Sequence, residues 1–339
     1  MRLVLRRIAR RSCAPIVLAS LLLLAVAPPP RAADLGPLGG KHIVLVEPYG
    51  PGSVTDVPLA LMRDEIARKA GATVEIVSVG GKAGGSAVDY VLSPPPAIAE
   101  DALVFAVLDI VSRSLAESAA GRPKLLQSLQ PVATLSGALS AALIVAENSD
   151  IKSLDDLRAR ARAKTLKIVG LGRRAAFGIE LAMLEKATGL ALDETVVSTR
   201  AEILAALRSG EADAGFLITL TLLPSTEGTP PPSVRPILTF AGKRNPGFPD
   251  VPTFRESVAK DQKGSAIAST VAVFAPRRTP KPVVAAMAAL LRDIAAEPAI
   301  KSAAAARHYP LAVAPAATVS DELARVGRMI KLHKAYLER

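Results

Sequence analysis

Residues Tyr49, Pro51, Gly52, Ser53, Val54, Thr55 and Asp56 belong to VEPYGPGSVTD, where an apolar run gives way to a turn and then to a helical pattern. Glycine, proline and hydroxyl residues at such a place bring backbone N–H and O–H donors close to whatever faces the turn. That is anion-holding chemistry, and it needs no charged side chain. An ordinary helix start would also account for it. A second stretch, GGKAGGS, contains Lys82, Gly84, Gly85 and Ser86. It has neither the spacing of a P-loop nor that of a dinucleotide fingerprint, and a flexible surface turn is its alternative. GLGRRAAFG carries Arg173 and Arg174, and an arginine can grip a carboxylate at two points. Two solvated charges at a helix start are the bland reading. STRAE offers Ser198 and Thr199, with a helix cap as the simpler role for Thr199. Asp109 ends an apolar run, where it can select an amino or hydroxyl group or cap a turn.

Catalytic sets are poor by contrast. The 3 histidines, His42, His308 and His333, stand before a strand and in or beside terminal helices, away from these turns. The sequence shows no nucleophile elbow, no paired histidines for a metal and no Cys/His pair. It calls for no cofactor and no metal, and offers no catalytic set for an enzyme.

The elements that must position the turns follow from periodicity. HIVLVEPY reads as a strand and TDVPLALMRDEIARKAG as a helix, with Thr55 as N-cap, Pro58 in the first turn and Gly71 just past the end. ATVEIVSV is a second strand, a short helix runs through Val91, and ALVFAVL is a third strand. After an irregular stretch, LQPVATLSGALSAALIVAEN reads as paired extended segments and SLDDLRARARA as a helix. LKIVGLG, FGIELAMLEKATG, ETVVST, AEILAALRSGEAD and AGFLIT then run strand, helix, strand, helix, strand. Thr199 and Glu202 fit a capping box there, and Gly210 ends the helix. VRPILTFA and STVAVFAP are extended, and PKPVVAAMAALLRDIAAEPAIKSAAAARH and TVSDELARVGRMIKLHKAYLER are helical. Such alternation predicts parallel sheets with helices on both faces, and in open sheets of this kind ligands bind beyond the carboxyl ends of the strands. The pattern runs twice. It predicts two doubly wound α/β domains around a cleft, residues 34–135 with 257–339 forming the first and 136–256 the second. The terminal helices return to cover the first sheet.

The 339 residues suit two domains, and with aromatics at 3% and no Trp the core must be aliphatic. Residues 1–33 have the layout of a signal peptide: MRLVLRRIARR is basic, APIVLASLLLLAVA apolar and APPPRAAD polar. The apolar run is short beside the roughly 20 residues of a membrane span, although an uncleaved anchor is the alternative. Cleavage is placed after Ala33, because Pro28 follows the small residues Ala25 and Ala27. Removing this segment lowers the formal charge from +11 to +5, 36 basic residues against 31 acidic. The remaining bases are scattered, without the clustered stripe of a nucleic-acid reader. Cys13, the one cysteine, goes with the segment, leaving no disulfide and no thiolate. The expectation is a soluble exported protein.

The turns, in this order, resemble those of the tripartite tricarboxylate transporter substrate-binding proteins, the TctC/Bug family of periplasmic receptors. VEPYGPGSVTD is similar to the family's P-[FY]-x-P-G-G-x-[ST]-D, and VSVGGKAGGSAV to its E-N-[RK]-P-G-A-G-G-N-I-G. LQPVATLSGALSAALIVAENSDIKSLDDLRARAR resembles D-F-x-P-V followed by K-S-L-x-E-L, and LRSGEADAGF resembles L-x-x-G-x-V-D-x-x-F. PGFPDVPTFRES and VFAPRRTPKPVV are similar to P-D-V-P-T-x-x-E and F-A-P-x-x-T-P-K-P. The resemblance covers nearly all of the chain after the signal peptide.

It implies a type II periplasmic-binding fold whose cleft closes on a small carboxylate. The first two turns would hold one carboxylate through backbone N–H groups and bridging waters, a role that falls to Tyr49, Pro51, Gly52, Ser53, Val54 and Thr55, with Lys82, Gly84, Gly85 and Ser86 beside them. The sequence departs from the family at Ser53, in place of a glycine, and at Val79 to Lys82, in place of N-R-P-G. It departs again at Arg173 and Arg174, at Val196 to Arg200, and at Thr270, so the far end of the cleft is remodelled. The resulting expectation is a periplasmic, monomeric receptor that traps a small organic anion and presents it to an inner-membrane permease of the tripartite tricarboxylate transporter type. Arg173 or Arg174 would read a second polar end, as in a dicarboxylate. One rival is a receptor that signals to a sensor kinase. The other is an enzyme on the same scaffold, which needs an acid–base pair that the sequence does not assemble.

Overall fold

The computed structural model describes residues 36–98, 100–120, 125–197, 199–223, 232–258 and 268–338, so the expected signal peptide and Ser198 lie outside the described residues. The chain opens with β1 (His42–Glu47), α1 (Asp56–Ala70), β2 (Thr73–Ser78), α2 (Gly85–Leu92), β3 (Leu103–Asp109), α3 (Ile110–Ala119), α4 (Leu125–Ser128) and β4 (Leu129–Thr134). It continues through β5 (Leu139–Ala146), α5 (Leu154–Ala163), β6 (Leu166–Gly170), α6 (Gly178–Thr188), β7 (Leu192–Val196), α7 (Arg200–Ser209), β8 (Ala214–Ile218) and β9 (Val234–Thr239). Last come α8 (Phe254–Ser257), β10 (Ala268–Ser269), β11 (Val271–Pro276), α9 (Lys281–Ala296), α10 (Pro298–Ala306), α11 (Ala316–Leu332) and α12 (Lys334–Leu337).

Two sheets organise these elements. The first has the order β2-β1-β3-β11-β4, and the second has β10-β5-β8-β6-β7 with β9 also on β5. The expected parallel sheets are in fact mixed. β11 runs antiparallel to β3 and β4, and β5 runs antiparallel to β8, β9 and β10. The cause is the path of the chain. It leaves β4 and enters the second sheet at β5 within a few residues, and it returns from β10 to β11 across Thr270 alone. A strand that arrives from the other sheet enters at the carboxyl ends of its new neighbours and must run against them. The carboxyl ends of β1, β3, β6 and β8 therefore meet at the two crossing segments. These are tied together where Leu135 N–H donates to the Val271 carbonyl (2.7 Å) and Val271 N–H to Ser136 Oγ (2.9 Å). β4 and β5, read from sequence as a pair, lie in different sheets. β10 belongs to the second sheet although it falls after residue 257.

Local structure follows the side chains. β1 is buried from Ile43 to Glu47, as a strand with neighbours on both sides must be. α1 buries Leu59, Met62, Ile66 and Ala70, one face at helical spacing, and ends at Gly71 in the left-handed region (φ 58°). The stretch after β3, irregular by sequence, is the helix α3, capped by Asp109 Oδ1, which accepts from Ser112 N–H at 2.6 Å. The single helix expected from Pro280 breaks at Glu297 (ψ 134°), because the residue before Pro298 is driven out of the helical region. α9 and α11 pack on the first sheet, while α12 reaches α6 beside the second. Phe177, Phe216, Phe240 and Phe254 make one column of rings with centroids 5.1–6.1 Å apart.

Candidate functional site

The turn after β1 carries an acid of its own. Glu47 ends the strand fully buried, and its carboxylate accepts from Tyr49 N–H (2.8 Å), Gly50 N–H (2.7 Å), Thr55 Oγ1–H (2.9 Å) and Ser53 Oγ–H (3.3 Å). Gly50 and Gly52 at φ 84° and 78° let the backbone curl back over the strand end. Gly52 N–H donates to Asp56 Oδ2 (2.8 Å). Thr55, expected as the N-cap of α1, makes no capping bond, because its hydroxyl is turned onto Glu47. Ser53 Oγ accepts from Asp56 N–H instead (3.1 Å). The Val54 carbonyl accepts from the buried Tyr309 hydroxyl at 2.9 Å, which ties the turn to the segment after α10.

The second stretch is built differently. Gly81 (φ 112°), Lys82, Ala83 and Gly84 all have positive φ, a conformation that turns the backbone sharply before α2. The N–H groups of Gly80, Gly81, Lys82 and Ala83 have no hydrogen-bond partner among the described residues. Ser86 N–H is used on the Gly81 carbonyl (3.4 Å), and a side chain at Gly85 would meet Arg113 at 2.8 Å. Arg113 Nη1 donates to the Lys82 carbonyl (3.2 Å), while Lys82 Nζ reaches the exposed Asp89 (3.3 Å). Helix start, open amides and a nearby lysine together make an anion-attracting loop.

Asp109 ends β3, the strand beside β1. It is buried, it accepts from Ser112 N–H and from the hydroxyl of Ser269 in the second sheet, and burial pushes its pKa up. The Tyr49 hydroxyl sits by Ser112 in the field of Asp109, and burial and then Asp109 push its pKa up, while the residue as a whole is 45% exposed. Across the crossing segments, Glu180 in the first turn of α6 is buried with Oε2 unpartnered. Burial first, and Asp109 next, push it up to about 7.

In the second sheet the turn after β6 is tight. A side chain on Gly178 would lie 1.9 Å from the Arg173 carbonyl oxygen. Arg173, expected to face a ligand, is engaged inside the chain. Its two terminal nitrogens donate to Glu185 at 2.7 and 2.9 Å, and Glu194 lies 4.0 Å from Nε. Glu194 also accepts from Gly172 N–H at 3.2 Å, so this turn too holds a carboxylate from the protein itself. Arg174 is exposed and has no ion pair or hydrogen bond among the described residues. It borders a cavity of about 720 Å³ shared with Asp193, Val196, Leu337 and Glu338. Thr199 caps α7 in a reciprocal box with Glu202 (3.2 and 2.9 Å). Sequence reasoning missed Glu47, Glu185, Glu194 and Glu180. Glu47 alone left a signal: it is the one charge in an otherwise apolar strand, set directly before Pro48.

Among the described residues no cluster of His, Cys, Asp and Glu fits a metal ion, and no helix is long and apolar enough to cross a membrane.

Residues 122–334 match the model of a family described as the tripartite tricarboxylate transporter family receptor, TctC. A search of curated protein sequences finds no match. Among solved structures, the chain resembles one from Rhodopseudomonas palustris with adipate (TM-score 0.73, 20% identity, 87% of this chain and 97% of that one). It also resembles MatC from Rhodopseudomonas palustris with bound malate (TM-score 0.68, 23% identity, 86% and 99%). A third is the periplasmic binding protein BugD (TM-score 0.70, 19% identity, 87% and 97%). At these identities the likeness establishes the fold, two mixed α/β sheets with helices as in periplasmic binding proteins.

Proposed function

The chain belongs to the tripartite tricarboxylate transporter receptor family, TctC, and from that premise we propose that it traps a small organic carboxylate between its two sheets and delivers it to a transporter permease. Membership makes it a solute receptor rather than an enzyme. The observation that carries the carboxylate reading is the loop Gly80–Ser86. Four of its backbone N–H groups, at the carboxyl end of β2 and just ahead of the N-terminus of α2, have no partner among the described residues. Unpaired amides and the helix dipole favour an anion there, while the Lys82 charge is shared with Asp89.

In this reading residues 34–135 with 270–339, and residues 136–269, form two lobes that close on the ligand, with the crossing segments as hinge. The return crossing follows β10 rather than residue 257, because β10 pairs with β5. Tyr49 and Val196, exposed at 45% and 63%, stand at the carboxyl ends of β1 and β7 and offer apolar surface to the ligand's carbon chain. Malate and adipate in the related structures support an organic acid as the ligand class. The periplasm is the proposed location, by analogy with BugD and from the basic-then-apolar start of the sequence.

A thermal-shift screen of mono-, di- and tricarboxylates, aromatic acids and acidic amino acids tests the proposal. Ligand at 100 times its dissociation constant adds about 2.7 kcal/mol. That should raise the midpoint by roughly 2–4 °C per kcal/mol. A flat response to every acid overturns the carboxylate reading.

A further inference from the structure

Glu180 has no part in the carboxylate reading, yet it is an acid in an unfavourable place. It lies in the first turn of α6, is 5% exposed, and its Oε2 has no hydrogen-bond partner among the described residues. The two charged side chains in whose field it lies both belong to the other lobe. One is Asp109 at the end of β3, itself buried and bonded to Ser112 and Ser269. The other is Arg325 on α11, whose guanidinium is engaged by Glu322 (2.6 and 2.9 Å) and by the Ala268 carbonyl (2.9 Å). α12 also packs on α6, but there the Tyr336 carbonyl meets Arg173, and His333 lies in the field of Lys186. Burial and Asp109 disfavour the ionised form of Glu180, and its own backbone amide and Arg325 only partly offset them. A proton on the carboxyl removes the unpaired buried charge. Parting the lobes withdraws Asp109 and admits water, and the need for that proton goes with them.

We propose that Glu180 is a proton-linked latch between the lobes: packed as they are here they hold a proton on it, parted they release it, and low pH therefore favours the closed receptor. The inference rests on the two lobes and hinge of the reading above, and does not need the ligand to be an acid. The direction follows from linkage. In the packed form Glu180 titrates at about 7, and in a parted, hydrated form at the ordinary 4.5. Both forms carry the proton below pH 4.5 and both have lost it above pH 7, so the closed-to-open ratio falls between those values as pH rises.

The test reads the separation of the lobes in the exported chain without any ligand. The sequence beyond residue 33 has no cysteine, so Lys301→Cys on α10 and Arg208→Cys on α7, both exposed, take a pair of dyes for single-molecule energy transfer. Between about pH 5 and pH 8 the closed-to-open ratio should fall roughly 50-fold, nearly all of it below about pH 7. Glu180→Gln keeps the shape of the side chain and cannot ionise, so its ratio should stay level over the same range. A wild-type ratio that stays level, or a Glu180→Gln ratio that falls as the wild type's does, overturns the proposal. If Glu180→Gln does not fold, the wild-type ratio decides alone. A flat thermal-shift screen overturns the carboxylate reading and leaves this outcome standing, and a level ratio here leaves the screen standing.

Discussion

The turn after β1 and the turn after β6 occupy equivalent places in the two sheets and are closed in opposite ways. The first is closed locally. Glu47 is held by neutral donors within eight residues of itself, and among the described residues no cation pairs with it. The second is closed at long range by an ion-pair cluster, Arg173 between Glu185 on α6 and Glu194 on β7. A carboxylate held by amides and hydroxyls can in principle be exchanged for another carboxylate. An arginine gripped at two points by a 2%-exposed glutamate cannot leave without stranding it. The first turn therefore reads as a ligand-type site with a resident occupant, the second as a structural clamp.

The sharpest way to break this comparison is to remove the clamp. Arg173→Ala leaves Glu185 buried and unpaired, and should lower unfolding stability by about 3–5 kcal/mol in urea titrations. A loss below about 1 kcal/mol would make Arg173 available to a ligand and undo the contrast. The next effect lies between the two turns, at Glu180. Its pKa in the folded protein, about 7, stands above the usual 4.5, so the folded state keeps a proton that the unfolded state gives up. Its contribution is complete below pH 4.5 and is lost as pH rises through 7, a fall of about 3 kcal/mol. His333 acts in the other sense. Burial first, then Lys186, push it down from 6.5 to about 4, so stability falls as pH drops below 6.5. Glu180→Gln should remove the fall in stability between about pH 4.5 and 7 and leave the curve below pH 4.5 unchanged. A variant whose stability falls as the wild type's does between pH 4.5 and 7 removes Glu180 from this account.

How much of this could be read beforehand depends on range along the chain. The strands and helices follow from periods of two and near four, and the places of the turns follow from glycine, proline and hydroxyl residues between them. Strand direction was not legible, because a two-residue period is the same in either direction and only the crossing path fixes it. Nor was the closure of the turns. Thr55 reads as a cap by residue type, but its hydroxyl goes to Glu47 once Gly50 and Gly52 fold the backbone over the strand end. Arg173 reads as a ligand group because its partners lie 12 and 21 positions away, on a helix and a neighbouring strand. The capping box of Thr199 and Glu202 was legible because both halves lie within one helical turn.

That box sets a scale for hydroxyl donors in the two sheets. Thr55→Val keeps the shape of the side chain and removes one buried donor from Glu47, which should cost about 2 kcal/mol, in the range for a hydrogen bond to a charged group. Thr199→Ala removes an exposed cap and should cost about 1 kcal/mol. Both are read from the same urea titration, and the ratio matters more than either value. If the two losses are equal, the Glu47 carboxylate draws no more from its hydroxyl than a helix end draws from its cap. The first turn is then ordinary packing rather than a filled anion site. If Thr55→Val costs clearly more, the buried Glu47 carboxylate draws more from its hydroxyl donor than a helix end draws from its cap.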